Sequence, residues 1–167
     1  MTKDYSWKMN KTYLLLGSNM GNSHEQLLQA IKLINKNIGK VIRQSGLYVT
    51  AAWGNMNQPD FLNQVIVVET KLAAVELIKT ILATETAMGR IRTEKNAPRI
   101  IDIDILFFNK EMIRQKDLII PHPEIPNRRF VLVPLNELSP NMKHPVLKKT
   151  IHQLLISTPD KLDVKKF

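Results

Sequence analysis

The stretch Ile100–Phe108 narrows the possible folds more than any other part of the chain. Apart from two acids its residues are β-branched, leucine or aromatic, and Pro98 and Asn109-Lys110 punctuate its ends. That is the pattern of a buried strand. Side chains alternate along a strand, so Asp102 and Asp104 share one face, about 7 Å apart. Ile101, Ile103 and Ile105 take the opposite face and enter a core, while Ile100, Leu106 and Phe108 are expected beside the acids. Burying this strand therefore sets two carboxylates in partly apolar surroundings.

Burial and mutual repulsion both raise the pKa of such carboxylates, so a cationic group is needed nearby. Arg90, Arg92, Lys95 and Arg99 lie just upstream. The alternative is a pair of Mg²⁺ ions, hard cations that take carboxylate oxygens and leave positions open for phosphates. A lone Asp-x-Asp reads first as part of a structural Asp–Arg network. Here Arg-x-Arg, Pro-Arg and Asp-x-Asp crowd into one short segment. Carboxylates for metal beside guanidinium forks for phosphate oxygens make a site for a nucleoside triphosphate.

The 167 residues suit one domain with a substantial core. No apolar run is long enough to span a membrane, and residues 1–11 are too polar for a signal peptide, so the cytoplasm is expected. The absence of Cys excludes disulfides, thiolate metal sites and Cys nucleophiles. A net charge of +9 favours an anionic partner, a nucleic acid or a polyphosphate. Much of the excess sits in lysines near the two ends, where a solvated surface is the simpler reading.

Residues 1–11 read as a loose lead-in to a single domain over 12–160. Thr12–Leu16 is a strand, stopped by the turn residues Gly17-Ser18-Asn19. Ser23 is the expected N-cap of a helix with Leu27, Ile31, Ile34 and Ile38 on its apolar face, and Gly39 its stop. A strand over Val41–Ala52, irregular near Gly46, leads through a turn-rich loop to the strand Phe61–Thr70. A second helix spans Ala73–Met88, with Val75, Ile78, Leu82 and Glu85 on adjoining positions, and Gly89 closes it. After the acidic strand come extended pieces at Glu111–Ile113 and Leu118–Ile120, then helices beginning near Asn127 and at Thr150. The order strand–helix–strand–strand–helix–strand is the α+β, ferredoxin-like arrangement: an antiparallel sheet with helices on one face and the other free for ligands.

Two further groups carry chemistry. Trp53, Phe61 and Phe130 could sandwich a flat ring while Asn63 reads its amide edge and Thr50 adds a hydroxyl. Each aromatic taken alone reads as core, but Asn is poor in strands and needs partners when buried. His122, held rigidly between two prolines, groups with Arg128 and Arg129 and suits a positioned contact to phosphate; taken alone it reads first as a loop residue. Glu85 has a simple reading as the salt-bridge partner of Arg90 or Arg92.

Five stretches in order resemble the 6-hydroxymethyl-7,8-dihydropterin pyrophosphokinase family of folate biosynthesis. They are Tyr13 to Asn19, Gln58 to Asn63, Gly89 to Arg92, Ala97 to Asp104, and Pro121-His122 through Asn127 to Phe130. The resemblance implies transfer of pyrophosphate from ATP to the pterin's hydroxymethyl oxygen, releasing AMP. It implies that Asp102 and Asp104 hold two Mg²⁺ ions. Arg90 and Arg92 take catalytic roles and, with Arg99, His122 and Arg128, clamp the nucleotide beside Glu85. Thr50, Trp53, Asn63 and Phe130 line the pterin pocket, with Phe61 next to it. A cytoplasmic monomer acting on small molecules, with neither nucleic acid nor membrane as partner, is the family expectation. The chain departs from many members in carrying Asn96-Ala97 where they have Trp-Gly, in a loop one residue shorter. Ala51 stands where a Pro is common, and Leu82 replaces a residue that is polar in some members.

Two rivals share parts of this pattern. Ferredoxin-like sheets also form RNA-binding modules, but those stack bases on exposed aromatics. Aromatics are 6% of this chain, and paired acids would repel an RNA backbone. A Mg²⁺-dependent nucleotidyltransferase needs a third carboxylate in register, which the sequence does not offer.

Overall fold

The acidic strand lies at one edge of a six-stranded antiparallel sheet in the computed structural model, which describes residues 8–52, 54, 57–92 and 95–167. In chain order the elements are β1 (Asn10–Ser18), α1 (Ser23–Asn37), β2 (Gly39–Gln44), β3 (Tyr48–Thr50), β4 (Phe61–Thr70), α2 (Ala74–Ala87) and β5 (Asp102–Phe108). A hairpin of β6 (Ile113–Gln115) and β7 (Leu118–Ile120) follows, then α3 (Arg129–Leu138), α4 (Ile151–Ser157) and β8 (Val164–Lys166). The sheet runs β5-β1-β4-β3-β8, with β2 also paired to β4. Because β2 and β3 are two halves of one interrupted strand, the topology is ferredoxin-like. No helix among the described residues is long and apolar enough to cross a membrane.

Cores form on both faces of the sheet. Leu14, Leu16, Ile66, Val68, Ile103 and Ile105 pack against α1 and α2. Tyr13, Leu15, Val65, Val67 and Phe107 pack against α3 and α4. The second face is therefore not free, as the sequence reading had it. Helices cover its middle and leave the end near Asp102 and Asp104 open to a ligand.

A bulge corrects the expected pattern of β5. Tyr13 pairs with Phe107 and Leu14 with Ile105, so Leu106 is the extra residue. Leu106 and Phe107 both turn to the α3 side, and Phe108 drops into the α1–α2 core rather than lying beside the acids. Ile100, just before the strand, also packs on the α1–α2 side.

The helices differ from the sequence reading in detail. Asn22, not Ser23, caps α1, its side chain accepting from the Glu25 N–H at 3.2 Å. The buried face of α2 is Ala74, Leu77, Ile81, Thr84 and Glu85, while Val75 and Leu82 are exposed. Gly39 does not end α1 through a left-handed turn; it opens β2. A Cβ there would lie 2.1 Å from the Glu69 carbonyl oxygen on β4. Gly39→Ala is therefore expected to destabilise the protein by about 1–3 kcal/mol. An unchanged urea midpoint would contradict this close approach.

Candidate active site

Strand register builds the site. Asp102 sits opposite Gly17 and Asp104 opposite Leu15 on β1, and Gly17 in turn faces Asn63 on β4. Both acids thus share the face that carries Asn63 and Phe61, at the end of the sheet that α3 leaves open. Gly17 keeps this surface low: a Cβ there would stand 3.1 Å from Asn63 Oδ1. Asn63 is buried and its Nδ2 donates to Thr50 Oγ1 at 2.9 Å, which leaves its Oδ1 turned to the cleft.

The cleft is lined by Thr50, Phe61, Asn63, Asp102, Asp104 and Phe130, among others. Arg128 and Arg99 close it, with the Arg99 guanidinium 5.0 Å from the Phe61 ring centroid. Its free volume is about 80 Å³, well below the roughly 300 Å³ at which small-molecule pockets begin. Two wider cavities adjoin it. One, of about 330 Å³, is walled by Arg90, Arg92, Lys95 and Arg99. The other, of about 320 Å³, lies between β5 and the β6–β7 hairpin, where Asp104, Lys116, Asp117 and His122 meet. Asp104 belongs to the cleft and to the hairpin cavity at once.

Glu85 organises the cations. It is buried, and its Oε2 accepts from Arg90 Nη1 at 2.5 Å and from the Ile103 N–H at 2.9 Å. Its Oε1 accepts from Arg92 Nη2 at 2.9 Å. Arg90 Nη1 also reaches Asp102 Oδ1 at 2.8 Å, and Arg99 Nη1 lies 3.6 Å from Asp102 Oδ2. The Arg–carboxylate network read from the sequence therefore exists, with Glu85 as its hub. Burial alone would lower the Arg90 pKa, but Asp102 and Glu85 outweigh it and raise it.

Asp104 is different. Burial, then the negative charges of Asp102 and Glu85, push its pKa up to about 7, and no described residue forms an ion pair or hydrogen bond with its carboxylate. A carboxylate whose charge is so poorly compensated fits a hard divalent cation. Among the described residues no group of three or more His, Cys, Asp or Glu could hold a metal ion. A metal ion at the two acids would therefore find only part of its coordination shell among the described side chains. In the metal-free protein the raised pKa costs stability above about pH 7, less as pH falls, and nothing below the ordinary carboxylate range. Asp104→Asn should then stabilise metal-free protein by about 1–3 kcal/mol at pH 8 and make little difference at pH 4. Denaturation at the two pH values checks this; equal effects at both would refute it.

His122 Nδ1 accepts the Glu124 N–H at 3.1 Å, so in the neutral ring Nε2 carries the proton. Burial, then the charge of Arg128, lowers its pKa and so favours the neutral ring. Arg128 stands 5.7 Å from the Phe130 ring centroid and 3.9 Å from Glu124. Trp53 lies outside the described residues. The other sequence-selected residues line the cleft or its two cavities, except Glu85, which is buried against Arg90 and Arg92, and Arg129, which turns away, its Nε donating to the Leu162 carbonyl and its N–H to Asp160.

Sequence reasoning undervalued Asn19, which it read as turn chemistry. Asn19 Nδ2 donates to Gln58 Oε1 at 2.7 Å and to the Pro59 carbonyl, and its Oδ1 accepts the Arg99 N–H at 2.8 Å. Gln58 in turn donates to the Asn96 carbonyl at 2.6 Å. The cationic loop and the loop before β4 are thus tied through one side chain. Lys116 and Asp117 of the hairpin were also passed over, because only the fold brings them to Asp104.

Residues 13–140 match the family described as 7,8-dihydro-6-hydroxymethylpterin-pyrophosphokinase. The chain is 39% identical over 145 residues to the 2-amino-4-hydroxy-6-hydroxymethyldihydropteridine pyrophosphokinase of Aquifex aeolicus, covering 87% of this chain and 90% of that protein. The enzyme of the same name from Methylorubrum extorquens is 36% identical, with 80% and 85% covered. Folic acid synthesis protein FOL1 of Dictyostelium discoideum is 36% identical over 90% of this chain, which spans only 23% of that longer protein. The wild-type HPPK-DHPS crystal structure from Plasmodium falciparum superposes with a TM-score of 0.74 at 22% identity, covering 89% of this chain and 44% of that one. This last likeness speaks to the fold.

Proposed function

The chain belongs to the 7,8-dihydro-6-hydroxymethylpterin-pyrophosphokinase family, and from that premise we propose how its site carries out ATP-dependent pyrophosphoryl transfer in folate synthesis. The observation that carries the reading is the position of Asp104, shared between a narrow cleft with an amide reader and a wider, partly charged cavity. The pterin ring enters the cleft between Phe61 and Phe130, where Asn63 meets its amide edge and Thr50 fixes Asn63. Trp53 joins this pocket by the sequence reading alone. A ring stacked on Phe61 displaces the Arg99 guanidinium, which turns from Asp102 toward phosphate. Arg99 Nε, buried without a hydrogen-bond partner among the described residues, is a donor suited to that acceptor.

ATP takes the other side. Its nucleoside occupies the hairpin cavity and its phosphates run past the acids to Arg90, Arg92 and Arg99, with His122 Nε2–H and Arg128 donating to phosphate oxygens. Asp102 and Asp104 would hold two Mg²⁺ ions, which when bound neutralise and orient the phosphates. The pterin's hydroxymethyl oxygen attacks the β-phosphorus and releases its proton to solvent; the bond from that phosphorus to the α-bridging oxygen breaks, and AMP leaves with that oxygen. The protein's own share is positioning and charge stabilisation, with no covalent intermediate. The chain works as a cytoplasmic monomer on small molecules in this reading. With ATP radiolabelled at its β-phosphorus, label should appear in the pterin product. Label retained in a nucleotide, or lost to water at the same rate without pterin, would reject the proposal.

A further inference from the structure

We propose that a separate cavity, at the far end of β1 and β5, binds a small aromatic anion such as an aryl carboxylate. Its volume is about 520 Å³, inside the range of about 300–1,000 Å³ typical of small-molecule pockets. Tyr13 and Phe107, cross-strand partners in an edge-to-face pair with centroids 6.0 Å apart, form its floor. Met142 and Pro145 form a wall. Along β1, Tyr13 lies four residues from Gly17, about 13 Å, so this space is separate from the catalytic cleft.

The charge around the cavity has one sign. Lys11, Lys110 and Lys143 stand at its rim and no carboxylate among the described residues lines it. None of the three lysines forms an ion pair among the described residues. Lys11 Nζ is 5.9 Å from the Tyr13 ring centroid, an ammonium poised over an aromatic floor. An apolar floor under several uncompensated ammonium groups matches a flat ring that carries one negative group.

The walls are held in place, which lowers the ordering cost of binding. Asn109 Oδ1 accepts the Lys11 N–H at 2.9 Å, and its own N–H donates to the Lys11 carbonyl at 2.7 Å. Tyr13 Oη lies 2.7 Å from Ser139 Oγ. His144 packs edge-on to Phe107, and its Nδ1 accepts the N–H groups of Val146 and Leu147. Those contacts fix the segment that carries Met142, Lys143 and Pro145.

The test is calorimetric titration of the full chain with 2-naphthoate, with its neutral analogue 2-naphthamide, and with octanoate. AMP, Mg²⁺ and the pterin diphosphate are present to fill the catalytic site. Naphthoate should bind at one site, and each of the other two at least about tenfold more weakly. A Lys110→Glu/Lys143→Glu variant, altered only at exposed positions, should lose about tenfold in naphthoate affinity while its catalytic rate stays unchanged. Equal binding of naphthamide would reduce the cavity to apolar adhesion, and equal binding of octanoate would remove the aromatic requirement. Unchanged affinity in the double variant would place the ligand elsewhere. Either of the last two results, equal naphthamide binding, or no naphthoate binding at all, overturns the proposal.

Discussion

Asp102→Ala and Asp104→Ala are each expected to lower pterin-dependent AMP formation by about 10³-fold, the scale of losing a main electrostatic element of an active site. The fold should survive both. Each acid stands at the open end of the sheet with its side chain toward the cleft, and β5 stays anchored by Ile103, Ile105 and Phe108 in the core on its other face. The two variants should differ in stability. Asp102→Ala strips a partner from Arg90 and Arg99, whereas Asp104→Ala removes a charge that burial already penalises. Turnover near the unmodified rate for either variant at ordinary Mg²⁺ would show that the metal and phosphates are held elsewhere.

Glu85→Ala should cost about 3–5 kcal/mol in stability, the largest such loss expected from a single change at this site. The carboxylate satisfies Arg90, Arg92 and the buried N–H of Ile103 together. Removing it leaves that N–H without an acceptor and Arg90 with Asp102 alone, in a setting where Arg90's side chain is only 11% exposed. Glu85→Gln keeps an acceptor for Ile103 and should lose less. Because Glu85 works through the arginines, both variants should raise the KM for ATP more than that for the pterin. Equal rises in the two KM values, or a urea midpoint unmoved by Glu85→Ala, would show that Glu85 does not organise the cations.

Much of the architecture was legible because local and long-range signals agree. Phe61–Thr70 is a strand by composition and lies at the centre of the sheet, and the paired acids face one way as alternation requires. Misreadings came where the tertiary structure chose among equivalent local patterns. In α2 the series Val75, Ile78, Leu82 and the series Ala74, Leu77, Ile81 both have helical spacing, and only packing on the sheet selects the second. Alternation cannot foresee the Leu106 bulge, which moves Phe108 to the other face. Nor does Val164–Lys166 look like a strand, with one apolar residue in three; it forms by pairing with the edge of β3. At the site, the arginines and acids stood out because their charges crowd one segment. Asn19 did not, since its partners lie 39 to 80 positions away.

The most direct test of the central claim is to follow nucleotide products from ATP and Mg²⁺, with and without 6-hydroxymethyl-7,8-dihydropterin. The site described here predicts AMP that depends on the pterin and matches the pterin diphosphate formed mole for mole, with no ADP. ADP as the product, or AMP formed equally without the pterin, would contradict it.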